Sequence, residues 1–286
     1  MRLFNRGPRV PVLRFSGPIG MVTPLRPGLT SSAVAGALRK AFTTSKTPAV
    51  AIALNSPGGS PVQSSLIFKL IRQHAAEQKK KVYVFCEDVA ASGGYYLAVA
   101  GDEIYADTSS IIGSIGVISA SFGFDRAIAR LGIDRRVYTA GENKGALDMF
   151  QPENADDIER LRALQRDVHD VFIGVVKDRR AGKLRGPDAE LFSGAFWSAP
   201  KALEYGLIDG IADIRSKMRE LFGEKVRLEN VSLSRGGLLG RLRRLPSIAQ
   251  GMYGSGGDFA GSPGLALAED LVSAVETRAL WSRYGL

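Results

Sequence analysis

Ser92 stands in Ala91-Ser92-Gly93-Gly94-Tyr95-Tyr96, Lys144 in Gly141-Glu142-Asn143-Lys144-Gly145, and a third glycine-rich stretch, Asn55-Ser56-Pro57-Gly58-Gly59-Ser60, precedes both. A serine hydroxyl is a weak nucleophile at neutral pH, so hydrolytic use needs a base within hydrogen-bond reach and donors aimed at the developing oxyanion. The two histidines, His74 and His169, lie in helical stretches with charged neighbours and read as surface residues rather than as a base beside Ser92. A Ser/Lys pair would meet the need. A lysine at its ordinary pKa of about 10.4 is protonated at pH 7, and desolvation is what lowers it into a useful range. Glu142 and Asp148 would pull Lys144 the other way, so spacing alone leaves a base and an exposed loop lysine both open.

The elements that must position these groups follow from hydrophobic pattern. Residues 10–15 read as an entry strand, 30–44 as a helix capped by Thr30, Ser31 or Ser32, 49–54 as a buried strand ending at the Ser-Pro-Gly-Gly turn, and 60–78 as the next helix. Strand 81–86 follows, and Ser92 opens a helix to about residue 100. Short strands are expected at 104–106, 115–119 and 135–139, helices at 124–131, 154–180, 200–205 and 214–222. The long helix 154–180 has apolar positions 158, 161, 164, 168, 171 and 172. Continuously apolar strands alternating with helices imply an α/β fold whose mostly parallel sheet is covered by helices. Ser92 and the Gly58-Gly59 turn then sit at successive strand ends, where such sheets place their sites. At a helix N-terminus the Gly93 amide is a natural oxyanion donor, and Gly59 is the second.

With 286 residues, 45% hydrophobic and 23% charged, the chain has the composition of a globular protein, not of a disordered or fibrous one. The single cysteine, Cys86, lies in an apolar strand and reads as buried and inert. Against 29 acidic residues stand 38 Lys and Arg, a net charge of +9. The excess is partly local to residues 225–244, where no aromatic residues interleave, so nucleic acid is not the expected partner. Residues 234–245 read either as a solvated basic linker or as a short amphipathic element on anionic lipid. No stretch reaches the roughly 18 apolar residues of a membrane span, and the first 22 residues lack the apolar run of a secretory signal. The expected location is the cytoplasm, with peripheral contact at the inner face of the membrane as a candidate.

Composition shifts near residue 228, dividing the chain into a catalytic domain, 1–228, and a Gly/Arg-rich linker with a helical extension, 229–286. The extension is expected to be helical from Leu265 to Tyr284, with a stripe of Leu267, Leu271, Val275 and Leu280 suited to an assembly contact.

Four ordered motifs carry a resemblance. Leu54-Asn-Ser-Pro-Gly-Gly59, Ala91-Ser-Gly-Gly-Tyr-Tyr96, Gly113-Ser-Ile-Gly-Val-Ile118 and Lys144-Gly-Ala-Leu-Asp-Met-Phe150, with a further match from Phe192 to Ile211, resemble the signal peptide peptidase A family of Ser/Lys serine peptidases over about residues 10–222. The resemblance implies a crotonase/Clp protease-like fold of repeated β-β-α units and assembly into a homo-oligomeric ring or dome. It implies Ser92 as nucleophile, Lys144 as general base, Gly59 as an oxyanion amide and Ser114 as the residue that orients the lysine. The expected substrates are peptides or proteins resembling signal peptides, or other exposed hydrophobic segments, with small or aliphatic residues before the scissile bond. No metal or cofactor is required. The alternatives are a Ser-His-Asp hydrolase on the same fold, a crotonase-type acyl-CoA enzyme, and a catalytically silent scaffold that binds peptides or a membrane.

Overall fold

The computed structural model describes residues 7–20, 28–233, 275 and 277–286. Its strands are β1 (Arg9–Ser16), β2 (Ala49–Ser56), β3 (Lys81–Ala91), β4 (Glu103–Ala106), β5 (Ile111–Gly113), β6 (Phe196–Ser198), β7 (Gly210–Ile211) and β8 (Arg227–Val231). Helices are α1 (Ser31–Thr44), α2 (Pro61–Gln78), α3 (Gly93–Ala98), α4 (Asp125–Arg130), α5 (Ala155–Arg179), α6 (Asp188–Leu191), α7 (Ala199–Glu204) and α8 (Ile214–Phe222).

One mostly parallel sheet runs in the order β6-β5-β3-β2-β1-β8, with β4 beside the first half of β3 and β7 beside β4. The eleven-residue β3 serves two neighbours in turn: Tyr83–Cys86 pair with β4, Val89–Ala91 with β5. Among these strand pairs, β5–β6 alone is antiparallel. Parallel pairing demands helices on the faces, and alternation along β3 shows where they lie. Val82, Val84, Cys86 and Ala90 join the main core with residues of α1, α2 and α3, whereas Tyr83 and Phe85 turn to the opposite face with Met218 of α8.

Helix starts follow their caps. Thr30 Oγ1 accepts the Ala33 amide at 3.2 Å, Ser60 Oγ the Gln63 amide at 3.3 Å ahead of Pro61, and Asn154 Oδ1 the Asp156 amide at 2.8 Å. At the end of α5, Arg180, only 2% exposed, donates to Asp209 at 2.7 Å and twice to the Gly206 carbonyl, while Asp209 also takes Lys183 and the Ile104 amide. Burial alone would push the Asp209 carboxyl up; Arg180 and Lys183 hold it below the usual range.

Two expected strands are absent. Residues 115–119 follow a turn instead: β3 pairs with Ile111–Gly113, and positive φ at Gly113 (113°) and Ser114 (53°) ends the strand there. Residues 135–139 have β-forming side chains but no sheet beside them, and Tyr138 is 91% exposed. The apolar stripe of α5 is also largely unburied. Phe172 and Val176 enter the core, whereas Leu164 and Val171 are about three-fifths exposed at 59% and 61%. From residue 116 to residue 171 nothing is buried. The linker glycines, the basic stretch 234–245 and positions Leu267 and Leu271 lie outside the described residues; residues 277–282 are helical, as expected for the extension.

Candidate active site

The site is built at the carboxyl ends of β2 and β3. Ser92 closes β3 and caps α3 with φ 52° and ψ −123°, a conformation sparsely populated by non-glycine residues. Its amide donates to the Gly113 carbonyl at 2.8 Å and its carbonyl accepts from Tyr96 at 3.0 Å, which locks the sharp strand-to-helix turn at both ends. The half-buried Ser92 hydroxyl makes no side-chain cap bond. It is not spent on capping its own helix.

The turn after β2 lies directly against this serine. A Cβ on Gly58 would come within 2.8 Å of the Ser92 Cβ and 2.9 Å of the Gly93 nitrogen; one on Gly93 would stand 3.3 Å from the Gly59 nitrogen. Glycine is therefore required for the approach itself. The turn is held from its other side by Ile19, whose amide donates to the Gly58 carbonyl at 2.8 Å and whose carbonyl accepts from Ser60 at 2.9 Å. Gly59 is skipped in that bridge, and neither its amide nor that of Gly93 has a hydrogen-bond partner among the described residues. Two unpartnered N–H groups beside a strained serine form a donor pair of the kind that receives a developing negative charge. Ser56, fully buried, supports the turn by donating to the Gly17 carbonyl at 2.8 Å and accepting from Gly58 at 3.3 Å.

Ser114 follows the very carbonyl that receives the Ser92 amide. It is 6% exposed, has φ 53°, and its amide donates to the Ala195 carbonyl at 2.7 Å. His169 of α5, expected at the surface, is half-buried, with Nε2 2.9 Å from the Ile115 carbonyl next to Ser114. Gly113 and Ala195 lie within matched motifs, but their supporting roles run through backbone atoms, and Ile19 and His169 carry no motif that sequence could single out.

Lys144 is placed differently. It occupies an exposed turn between Gly141 (φ 107°) and Leu147 (φ 58°), and its ammonium has no hydrogen bond or ion pair among the described residues. Its neighbour Asp148 turns instead to Arg135 at 2.8 Å. The structure thus gathers Ser92, Gly93, Gly59 and Ser114 at one sheet edge, and no hydrogen bond joins Lys144 to them. Cys86 is buried, with its thiol pushed up to about 12 by desolvation, and is no rival nucleophile. Among the described residues no group of three or more His, Cys, Asp or Glu could hold a metal ion.

Comparison with known proteins bears on this geometry. The model of peptidase family S49 matches residues 74–225, a stretch that contains Ser92, Ser114 and Lys144. The chain belongs to peptidase family S49. Among curated relatives, the chloroplastic serine protease SPPA of Arabidopsis thaliana is 28% identical over 226 residues, covering 76% of this chain and 32% of its own length. Protease 4 of Haemophilus influenzae is 29% identical over 190 residues, 65% of this chain and 30% of its own. A protein named Na(+)/H(+) antiporter NhaA from Brucella abortus is 54% identical over 278 residues, 97% of this chain but 37% of that protein. The chain therefore spans little more than a third of the length of that relative. No helix among the described residues is long and apolar enough to cross a membrane.

Proposed function

We propose that the chain is a serine endopeptidase in which Ser92 attacks a peptide carbonyl, Lys144 takes its proton, the Gly59 and Gly93 amides hold the oxyanion, and Ser114 orients the lysine amine. The carrying observation is the strained Ser92 next to two unpartnered amides at one sheet edge. The ammonium formed on Lys144 then protonates the leaving amine, and water repeats the cycle on the acyl-enzyme. Substrates are exposed hydrophobic segments, signal-peptide-like among them, with small or aliphatic residues before the scissile bond.

Lys144 requires a partner in this reading. A lysine becomes a base at neutral pH only where desolvation favours its neutral form, and in the single chain residue 144 is exposed. The segment that carries it presents Ile118, Phe122, Phe124, Leu131, Ile133 and Tyr138 to solvent. A surface of that character is covered in a working protein, and a second copy of the chain is the partner proposed. Covering the arm would bury the lysine and complete the site in one step.

Transport is not extended to this chain. The stretch shared with the NhaA-named protein is also the stretch that matches the peptidase family.

The test is hydrolysis of fluorogenic peptides with alanine or leucine before the reporter. Turnover should vanish in both Ser92→Ala and Lys144→Ala. Turnover that survives Lys144→Ala would move the base elsewhere. Absence of turnover in the unaltered chain across a broad panel would leave the peptide-binding scaffold.

A further inference from the structure

Three carboxylates stand around the turn that carries Lys144, and two of them are held by arginines. Residues 142–147 form a run of turns, in which the Lys144 amide donates to the Gly141 carbonyl at 3.2 Å and the Ala146 amide to the Asn143 carbonyl at 3.3 Å. Asp157 of α5 reaches this run and accepts the Leu147 amide at 3.2 Å, while Arg160, three residues on, pairs with it at 2.5 Å. Asp148 ends the run, and Arg135, thirteen residues earlier, donates to it at 2.8 Å. Glu142 is exposed and has no hydrogen bond or ion pair among the described residues.

The hold on Asp148 has several parts. Its Oδ2 accepts from Arg135 Nε, its Oδ1 from the Phe150 amide at 3.0 Å, and its carbonyl from the Gln151 amide at 3.0 Å. The Arg135 guanidinium lies 4.9 Å from the centre of the Phe150 ring, which packs on the ring of Phe124 at 5.8 Å. The Phe124 amide in turn donates to the Met149 carbonyl at 2.6 Å. A guanidinium fixed by a ring face and a carboxylate together is preorganised for that partner. Arg135, with the Phe150 amide, holds the Asp148 carboxyl below the usual carboxylate range, so Asp148 is an anion at neutral pH. Asp134 and Arg136, on either side of Arg135, add one charge of each sign. An opposite charge beside an amine favours its protonated form, and a carboxylate four residues from a lysine is well placed to supply one. Here the carboxylate faces Arg135.

We infer that Arg135 is a positioning residue for the proposed base: by holding the Asp148 carboxylate it keeps that charge off the Lys144 amine, a role that rests on the reading of Lys144 as base. Arg135 touches no reacting atom in this scheme. It acts through Asp148 alone, so removing both partners should do less harm than removing the arginine.

Two measurements on the full-length chain test this. In the first, peptide hydrolysis is followed in the unaltered chain, Arg135→Ala and Arg135→Ala/Asp148→Asn. Arg135→Ala should lower kcat about tenfold or more, the scale on which an adjacent opposite charge changes the neutral fraction of an amine, with KM nearly unchanged. The double variant should recover most of that loss, because asparagine can still accept the Phe150 amide but carries no charge. In the second, the same chains are labelled with the N-hydroxysuccinimide ester of acetic acid, which acylates neutral amines, and acetylation of Lys144 is quantified by peptide mass spectrometry against the exposed Lys46. Lys144 labelling should fall in Arg135→Ala and return in the double variant. A double variant as slow as Arg135→Ala, with Lys144 labelled equally in all three chains, would overturn the role and leave Arg135 as a structural prop of the arm. Sedimentation and circular dichroism of each variant separate loss of assembly or fold from loss of the carboxylate's restraint. Should the unaltered chain hydrolyse no peptide, the peptidase reading fails, and the labelling still decides whether Arg135 governs the amine.

Discussion

The two halves of the proposed dyad live in opposite surroundings. The serine and its donors are fixed by a sheet edge where Ser56 is fully buried and both flanking turns are tied by backbone bonds of 2.7 to 3.0 Å. The lysine rides a segment of more than fifty residues in which nothing is buried. Strain at Ser92 persists because its surroundings over-determine it, whereas Lys144 is exposed and, as the proposed base, would need another surface to desolvate it. One half is preorganised within the chain; the other, in the proposed function, waits on assembly.

That contrast can be broken most decisively at the chemistry. Ser92→Ala and Lys144→Ala should each reduce kcat by roughly 10³-fold or more, the scale seen when a member of a nucleophile–base unit is removed. The check is progress curves with the fold monitored by circular dichroism. The two losses should be alike in kcat and should both be purely chemical. Ser92→Ala should keep the native mass by sedimentation, and so should Lys144→Ala, whereas Phe124→Asp with Ile133→Asp should lose activity together with mass.

Next in size is the buried support of the sheet. Removing the guanidinium in Arg180→Ala leaves Asp209 short of its deepest partner and should cost about 3–5 kcal/mol, read by urea unfolding. The sign with pH is fixed by the lowered Asp209 pKa. Its stabilisation is fully present above the unfolded value of about 3.9 and is lost as pH falls through the lower folded value. The unaltered chain should therefore lose more stability than Arg180→Ala between about pH 5 and about pH 2.

Gly59→Ala sharpens the serine side. At φ 141° an added Cβ would lie 2.2 Å from the Ile19 carbonyl oxygen, so the turn must shift. Misplacing one oxyanion donor costs about 10²–10³ in kcat, and KM should change far less. The smallest effect belongs to the arm's own surface. Arg166→Ala, which removes an exposed pair with Glu159 at 2.8 Å, should change stability by under about 1 kcal/mol in thermal unfolding.

How much of this was legible in residues follows the same division. β2 and the first half of β3 were readable because parallel strands buried on both faces are continuously apolar, and α1, α2 and α5 because Thr30, Ser60 and Asn154 announce their starts. The Ser92, Gly58 and Gly59 placements follow from those strand ends. What pattern could not show was partnership. Residues 135–139 have strand chemistry without a neighbouring strand. The short β6 and β7 are set by pairing with β5 and β4, and not by composition. Arg180 drew no reading from sequence, although it is the largest fully buried side chain of the described residues. The α5 stripe was legible as a row of apolar positions, yet Phe172 alone of its six is buried. A hydrophobic period says that a face will be covered, and it does not say by which chain.

The order of the parts along the chain carries one more consequence. Ile19, Gly58, Gly59, Ser92, Gly93 and Gly113 all fall within the first 113 residues, and Lys144 comes after them. Synthesis proceeds from the N-terminus and folding follows in units, so the nucleophile and its amides leave the ribosome ahead of the proposed base. Ala195 and β6, which back Ser114 and Gly113, and β8, which flanks β1, come later still. If the proposed function holds, the nucleophile's sheet edge is therefore completed only after the proposed base has been made, and a partly made chain carries neither half in working form.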